Sequence, residues 1–310
     1  MATGLVVAAM LHLLAGLVFA SLVHQDAARR GSEKPMAWAV GVFLTGAVGA
    51  VGYYLLRARI GPASAGGVPA PLPVRLGSLG RAVLVIFAAF LSATAIAGIG
   101  GNLLVGAGLV APDSIGLRVA LSVLQFVGFG VGVGVYLAIT DDWDLLQVRR
   151  PTLTEAGWMA GGVVLILVAQ ATIGQALSIL GVQVAQNEVV VAGQQDPRFF
   201  LYMIPVSLLL VGPFEELVFR GTVQSILRRT WGSSVAVVVA SVLFGLAHWV
   251  ALTGGGGSRV PYITIAAMLG LVLGFAYERT RNLLVPAVVH GVYNSVLFAI
   301  QYAAATRMLG

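Results

Sequence analysis

Long apolar runs separated by short polar stretches organise the chain. Nine runs almost free of charge fall near 3–23, 36–56, 82–110, 119–140, 158–181, 199–227, 233–252, 260–277 and 283–305. Each approaches or exceeds the roughly 20 residues that a helix needs to cross a hydrocarbon core of about 30 Å. The pattern predicts an all-α, polytopic integral membrane bundle with eight or nine transmembrane helices. The run 82–110 is longer than one span requires and holds Gly98, Gly100 and Gly101, which predicts a tilted, broken or re-entrant element there. The first run lacks a basic stretch before it and reads as a membrane helix rather than a secretion signal. The segment 57–81 carries Pro62, Pro69, Pro71 and Pro73, which disfavours helix and predicts a surface loop. A second linker, 141–157, holds Arg149, Arg150 and Pro151. It divides the chain into N-terminal membrane helices (1–140), whose role the sequence leaves open, the linker itself, and a C-terminal membrane core (158–310).

Composition sharpens this picture. Of 310 residues, 58% are apolar and 10% charged, with mean hydropathy +0.95; soluble domains average about 25% charged residues. The 18 basic and 12 acidic residues give a net charge of +6, a balance that in a soluble protein would suggest nucleic acid. Here the arginines sit between apolar runs, where they meet phospholipid headgroups. No cysteine is present, so disulfides, thiolate metal sites and cysteine nucleophiles are excluded. Counted over alternating loops, ten basic residues fall after runs two, four, six and eight and seven in the opposite set, which places the N-terminus inside. The Gly, Ala, Val and Arg bias predicts a prokaryotic plasma membrane.

Ten of the twelve acidic residues lie in loops or at run ends; Glu215 and Glu216 do not. With Arg220 they stand inside an apolar run, where three unpaired charges would cost about 8–10 kcal/mol on insertion scales. Glu216 and Arg220 are four apart and can pair on one face, leaving Glu215 for another partner. Gly212 and Pro213 precede them, and Pro213 predicts a bend. Two histidines lie in late runs: Phe244 precedes His248 by four residues, and His290 precedes Asn294 by four, so each pair shares a face. His12 and His24 read as solvated or core-satisfied side chains. Three late segments thus carry Glu-Glu-x-x-x-Arg, Phe-x-x-x-His and His-x-x-x-Asn, whereas the earlier runs carry scattered Gln, Asn and Ser.

This arrangement closely resembles the CPBP family of intramembrane proteases, the type II CAAX prenyl endopeptidases and their bacterial relatives linked to bacteriocin processing or self-immunity. The resemblance covers about 201–300 and rests on Glu215, Glu216 and Arg220, on Phe244 and His248, and on His290 and Asn294. It implies an intramembrane endopeptidase that cuts a peptide bond in a hydrophobic or lipidated, CAAX-like substrate. Peptide hydrolysis needs an activated water, donors for the oxyanion and a proton for the leaving amine. Glu215 is the candidate general base, with His248 holding or helping to deprotonate the water. His290 and Asn294 are the candidate oxyanion donors, with Glu216, Arg220 and Phe244 in support.

Other readings remain open on the same residues. Glu215, His248 and His290 could ligate zinc, although no His-Glu-x-x-His helix is present; the metal-free reading, with no cofactor, is preferred. A proton-linked transporter would use buried Glu, Arg and His as a relay, but no inverted repeat is visible. An immunity scaffold would leave the motifs unused. The expected partners are the bilayer and a hydrophobic or lipidated peptide, not nucleic acid.

Overall fold

The computed structural model describes residues 2–57, 70–253 and 257–307. Pro62 and Pro69 of the expected 57–81 loop lie outside the described residues. The chain groups into two compact units: Met1–Leu79, Gln170–Ala185 and Leu227–Leu271 form the first, and Gly80–Ala169, Gln186–Ile226 and Val272–Gly310 the second. Among the described residues the architecture is all helical apart from isolated bridge residues, among them a bridge between Val184 and Ser258 in the first unit. Seven helices among the described residues are long and apolar enough to cross a membrane, which makes this a multi-pass integral membrane protein.

The chain opens with α1 (Ala2–Arg29), α2 (Pro35–Thr45) and α3 (Ala47–Leu56). The second apolar run is therefore not one helix. It breaks at Gly46, whose φ of 61° lies in the left-handed region that favours glycine. A Cβ there would stand 2.6 Å from the His12 ring, and His12 Nε2 lies 3.2 Å from the Leu44 carbonyl. Trp38 of α2 meets Tyr53 of α3 edge-on at 5.3 Å, and Tyr53 donates its hydroxyl to Asp26, near the end of α1, at 2.9 Å. α2 and α3 thus form a hairpin laid against α1, with Val23, Ala27, Val42, Ala50 and Tyr53 as its core. At 11 and 10 residues each arm is about 15–17 Å long, too short to span. The hairpin returns to the end of α1 it left, so Arg29 and Arg30 stand at the same end as Arg57, 3.9 Å from Asp26. That regroups the loop charges counted above.

α4 (Leu72–Gly106) and α5 (Ile115–Thr140) follow. The last part of the expected 57–81 loop is helix: Pro73 falls in the first turn of α4, where its missing N–H is not needed. The expected break among Gly98, Gly100 and Gly101 is absent, and α4 runs unbroken for 35 residues. Gly100 and Gly101 serve packing instead, with Leu124 and Leu121 of α5 against them, while Gly98 faces open space. α6 (Leu153–Ile179) starts in the expected 141–157 linker through a Thr-x-x-Glu box: Thr152 N–H donates to Glu155 at 2.8 Å and Glu155 N–H to the Thr152 hydroxyl at 3.3 Å. Arg149 closes on Glu155 through two hydrogen bonds of 2.9 and 2.6 Å.

α7 (Glu188–Gln195) is a short helix outside the nine apolar runs. Beyond it α8 (Arg198–Val206), α9 (Gly212–Glu216) and α10 (Ser225–Trp231) are joined by wider π-helical turns at Ser207–Val211 and Leu217–Gln224 into one 34-residue element. α11 (Ser233–Ala247), α12 (Arg259–Thr280) and α13 (Leu284–Arg307) complete the chain. Asn282 starts α13, its side chain accepting from Leu284 N–H at 3.3 Å.

Candidate active site

The site begins with prolines in an apolar helix. Pro205 and Pro213 lack the backbone donor, and their rings crowd the carbonyls four residues earlier. The helix relieves this by widening on either side of Glu215 and Glu216. π-turns of this kind recur at functional sites. In the second wide turn hydroxyls bond carbonyls five residues back: Thr222 Oγ1 donates to Leu217 at 3.0 Å and Ser225 Oγ to Arg220 at 3.1 Å. The expected bend at Pro213 thus takes the form of a changed helical pitch.

α13 meets this element at glycines. A Cβ on Gly212 would stand 2.8 Å from the Gly291 nitrogen, and one on Gly291 would stand 2.9 Å from Leu208 Cα and the Ser207 carbonyl. Only two bare backbones approach so closely, and that approach sets His290 beside Glu216. On the same face Ser295 donates to the Ile204 carbonyl at 3.0 Å. The spacing Ala287, Gly291, Ser295 is a small-residue repeat legible in the sequence, and the motif reading passed over it.

The second unit brings four of the expected residues together. Glu216, fully buried, accepts on one oxygen from Arg220 Nη1 and from His290 Nδ1, each at 2.9 Å. A carboxylate only accepts, so the His290 Nδ1 carries a proton and donates it to Glu216. That Nε2 lies 3.9 Å from Glu215 Oε2, too far for a direct hydrogen bond. Glu215 Oε2 has no hydrogen-bond partner among the described residues although it is buried. Its side chain is 15% exposed, against 0% for Glu216. Asn294 lies one turn beyond His290 on α13 and is half-buried.

His248 and Phe244 belong to the first unit. His248 closes α11, with Nδ1 2.8 Å from the Phe244 carbonyl, to which it donates, and the Phe244 ring edge-on at 4.6 Å. Nδ1 is thereby the nitrogen that carries the ring proton.

Among the described residues no group of three His, Asp or Glu side chains is placed to hold a metal ion. Within the second unit, Glu215 Oε2 and His290 Nε2 lie 3.9 Å apart, and the other ring nitrogen holds one Glu216 oxygen. Two such atoms suit a bridging water; a zinc site needs a third ligand.

Residues 197–296 match the Rce1-like family, described as type II CAAX prenyl endopeptidase. All seven motif residues fall inside that stretch. Over 166 residues the chain is 25% identical to the membrane-embedded CAAX protease MroQ of Staphylococcus aureus (strain USA300), a match covering 50% of this chain and 62% of that protein. The chain therefore spans about three fifths of that relative's length. No solved structure matches.

Proposed function

We propose that this chain, whose residues 197–296 belong to the Rce1-like family of type II CAAX prenyl endopeptidases, is an intramembrane endopeptidase acting on a hydrophobic or lipidated peptide, with Glu215 as general base. The observation that carries the reading is the buried, unpartnered Glu215 Oε2 facing His290 Nε2 across 3.9 Å. One water between those atoms would hydrogen-bond to both. Glu215 takes a proton from that water as its oxygen attacks the scissile carbonyl, and later delivers the proton to the leaving amine. The carbonyl oxygen becomes an oxyanion, met by the Asn294 amide and, when both ring nitrogens are protonated, by His290 Nε2. Glu216 and Arg220 hold the His290 ring in place. The motif resemblance assigns His248 a part in activating water. No metal is invoked.

Seven helices have spanning length and α1, at 28 residues, would be the eighth. With the α2–α3 hairpin returning to its own side, loop parity gives thirteen basic residues on one side and four on the other. By the positive-inside rule the chain then starts on the outer face, in a prokaryotic plasma membrane.

The deciding experiment is proteolysis by purified protein in liposomes, using lipidated and plain hydrophobic peptides, for wild type, Glu215→Gln and His248→Ala. Cleavage lost in both variants and unaffected by chelator supports the reading. Chelator-sensitive activity restored by zinc would replace it with a metal enzyme, and a folded wild type that cuts no peptide would return it to a transporter or scaffold.

A further inference from the structure

The two motif histidines stand differently on their helices. His290 lies inside α13, whereas α11 stops at Ala247 and His248–Ala251 continue as one tighter turn. Helix ends fray, because their last carbonyls have no partner within the helix. The Nδ1 bond to the Phe244 carbonyl and the edge-on Phe244 ring both belong to α11. They hold the His248 ring to its own helix end and to nothing beyond it.

The outside hold comes from the start of α12. Arg259, Tyr262 and Ile263, at i, i+3 and i+4, share one face of its first turns, and each answers a different part of the His248 turn. The Arg259 guanidinium lies 4.9 Å over the Trp249 ring. The Tyr262 ring lies 6.1 Å from the His248 ring, tilted by 36°, within the range at which aromatic rings attract. Ile263 and Leu252 share a buried cluster with Ala185 and Ala267, and Tyr262 packs against it. The two helices meet at Gly245, where a Cβ would stand 2.5 Å from the Ile263 carbonyl oxygen and 3.0 Å from the Ala267 nitrogen. Backbone therefore meets backbone, and the distance from α11 to α12 has no slack.

We propose that Tyr262 is a positioning residue whose ring fixes the orientation of the His248 imidazole, with the contact at Gly245 fixing where Tyr262 stands. The use of that imidazole in peptide hydrolysis rests on the reading above that His248 helps to activate water; the fixing of the ring does not.

The test is nuclear magnetic resonance of the full-length protein in detergent, labelled with 15N-histidine, beside peptide cleavage in liposomes. The chain has four histidines, and His248→Ala identifies the ring signals that belong to His248. Wild type and Tyr262→Phe should show one sharp His248 set with the proton on Nδ1. Tyr262→Leu should broaden that set or divide it between tautomers, while Phe275→Leu, which removes an exposed ring further along α12, should leave it unchanged. In cleavage Tyr262→Leu should lower kcat on the order of 10–100-fold at unchanged KM, and Tyr262→Phe should keep the wild-type rate. Two equally populated His248 tautomers in wild type would overturn the proposal whether or not the variants fold. An unchanged His248 signal in Tyr262→Leu would overturn it too, as would a Tyr262→Phe protein as impaired as Tyr262→Leu. Wild-type cleavage by His248→Ala would instead overturn the part given to His248 in hydrolysis, and the ring signals would still decide what Tyr262 does.

Discussion

Adjacent carboxylates between the wide helical turns have different surroundings and, in the proposed chemistry, different work. Glu216 is fully buried and accepts from Arg220 and His290; Glu215 is partly exposed and keeps an unpartnered oxygen toward the same histidine. Their substitutions should therefore separate. Glu215→Gln removes a base and leaves the ion pair intact, so cleavage should fall by about 100-fold or more with the melting temperature nearly unchanged. Glu216→Ala leaves Arg220 buried without its carboxylate and should cost about 3–5 kcal/mol of stability, read from thermal unfolding in detergent. Equal loss of stability in both would remove the distinction. The pairing of Glu216 with Arg220 was legible from their spacing of four. That His290 joins it was not, because a contact across 74 residues has no local signature in a single sequence.

Among elements, the contact of α13 with the α8–α10 element governs the site's geometry. Gly212 and Gly291 set how closely two backbones approach, and the neighbours that a side chain would strike are backbone atoms that cannot swing aside. Gly291→Val should push the helices apart and move His290 from Glu216. A displacement of 1 Å is enough to cost on the order of 100-fold in rate, and overpacking adds about 1–3 kcal/mol of destabilisation. Gly134→Ala is the contrast: nothing lies within 4 Å of a Cβ there, so peptide cleavage and unfolding should match wild type or gain slightly in stability. Helix breaks show how a pattern misleads at this scale. Gly98, Gly100 and Gly101 of α4 invited a break, and the last two received the leucines of α5 instead, whereas the second run, of ordinary spanning length, folds back at Gly46.

For the whole molecule, that fold-back decides orientation. Nine unbroken spans place the loop after α1 opposite the loop after α3; the hairpin puts both at one end. The chain has no cysteine, so single cysteines report sidedness directly. In intact cells Asp113→Cys should react with an impermeant thiol reagent, while Glu33→Cys and Arg150→Cys should react only after permeabilisation. Labelling of Glu33→Cys from outside would restore the nine-span reading. The sequence by itself determined the membrane class, the all-helical architecture, the motif residues and the likeness of 197–296 to the Rce1-like family, because hydrophobic length and short-range spacing are local properties of the chain. Tertiary structure decided the rest: which run turns back, which carboxylate is paired, which nitrogen of His290 donates to Glu216, and which arginines share one carboxylate. Each of these depends on what stands opposite a residue across a helix contact, and that is fixed by packing.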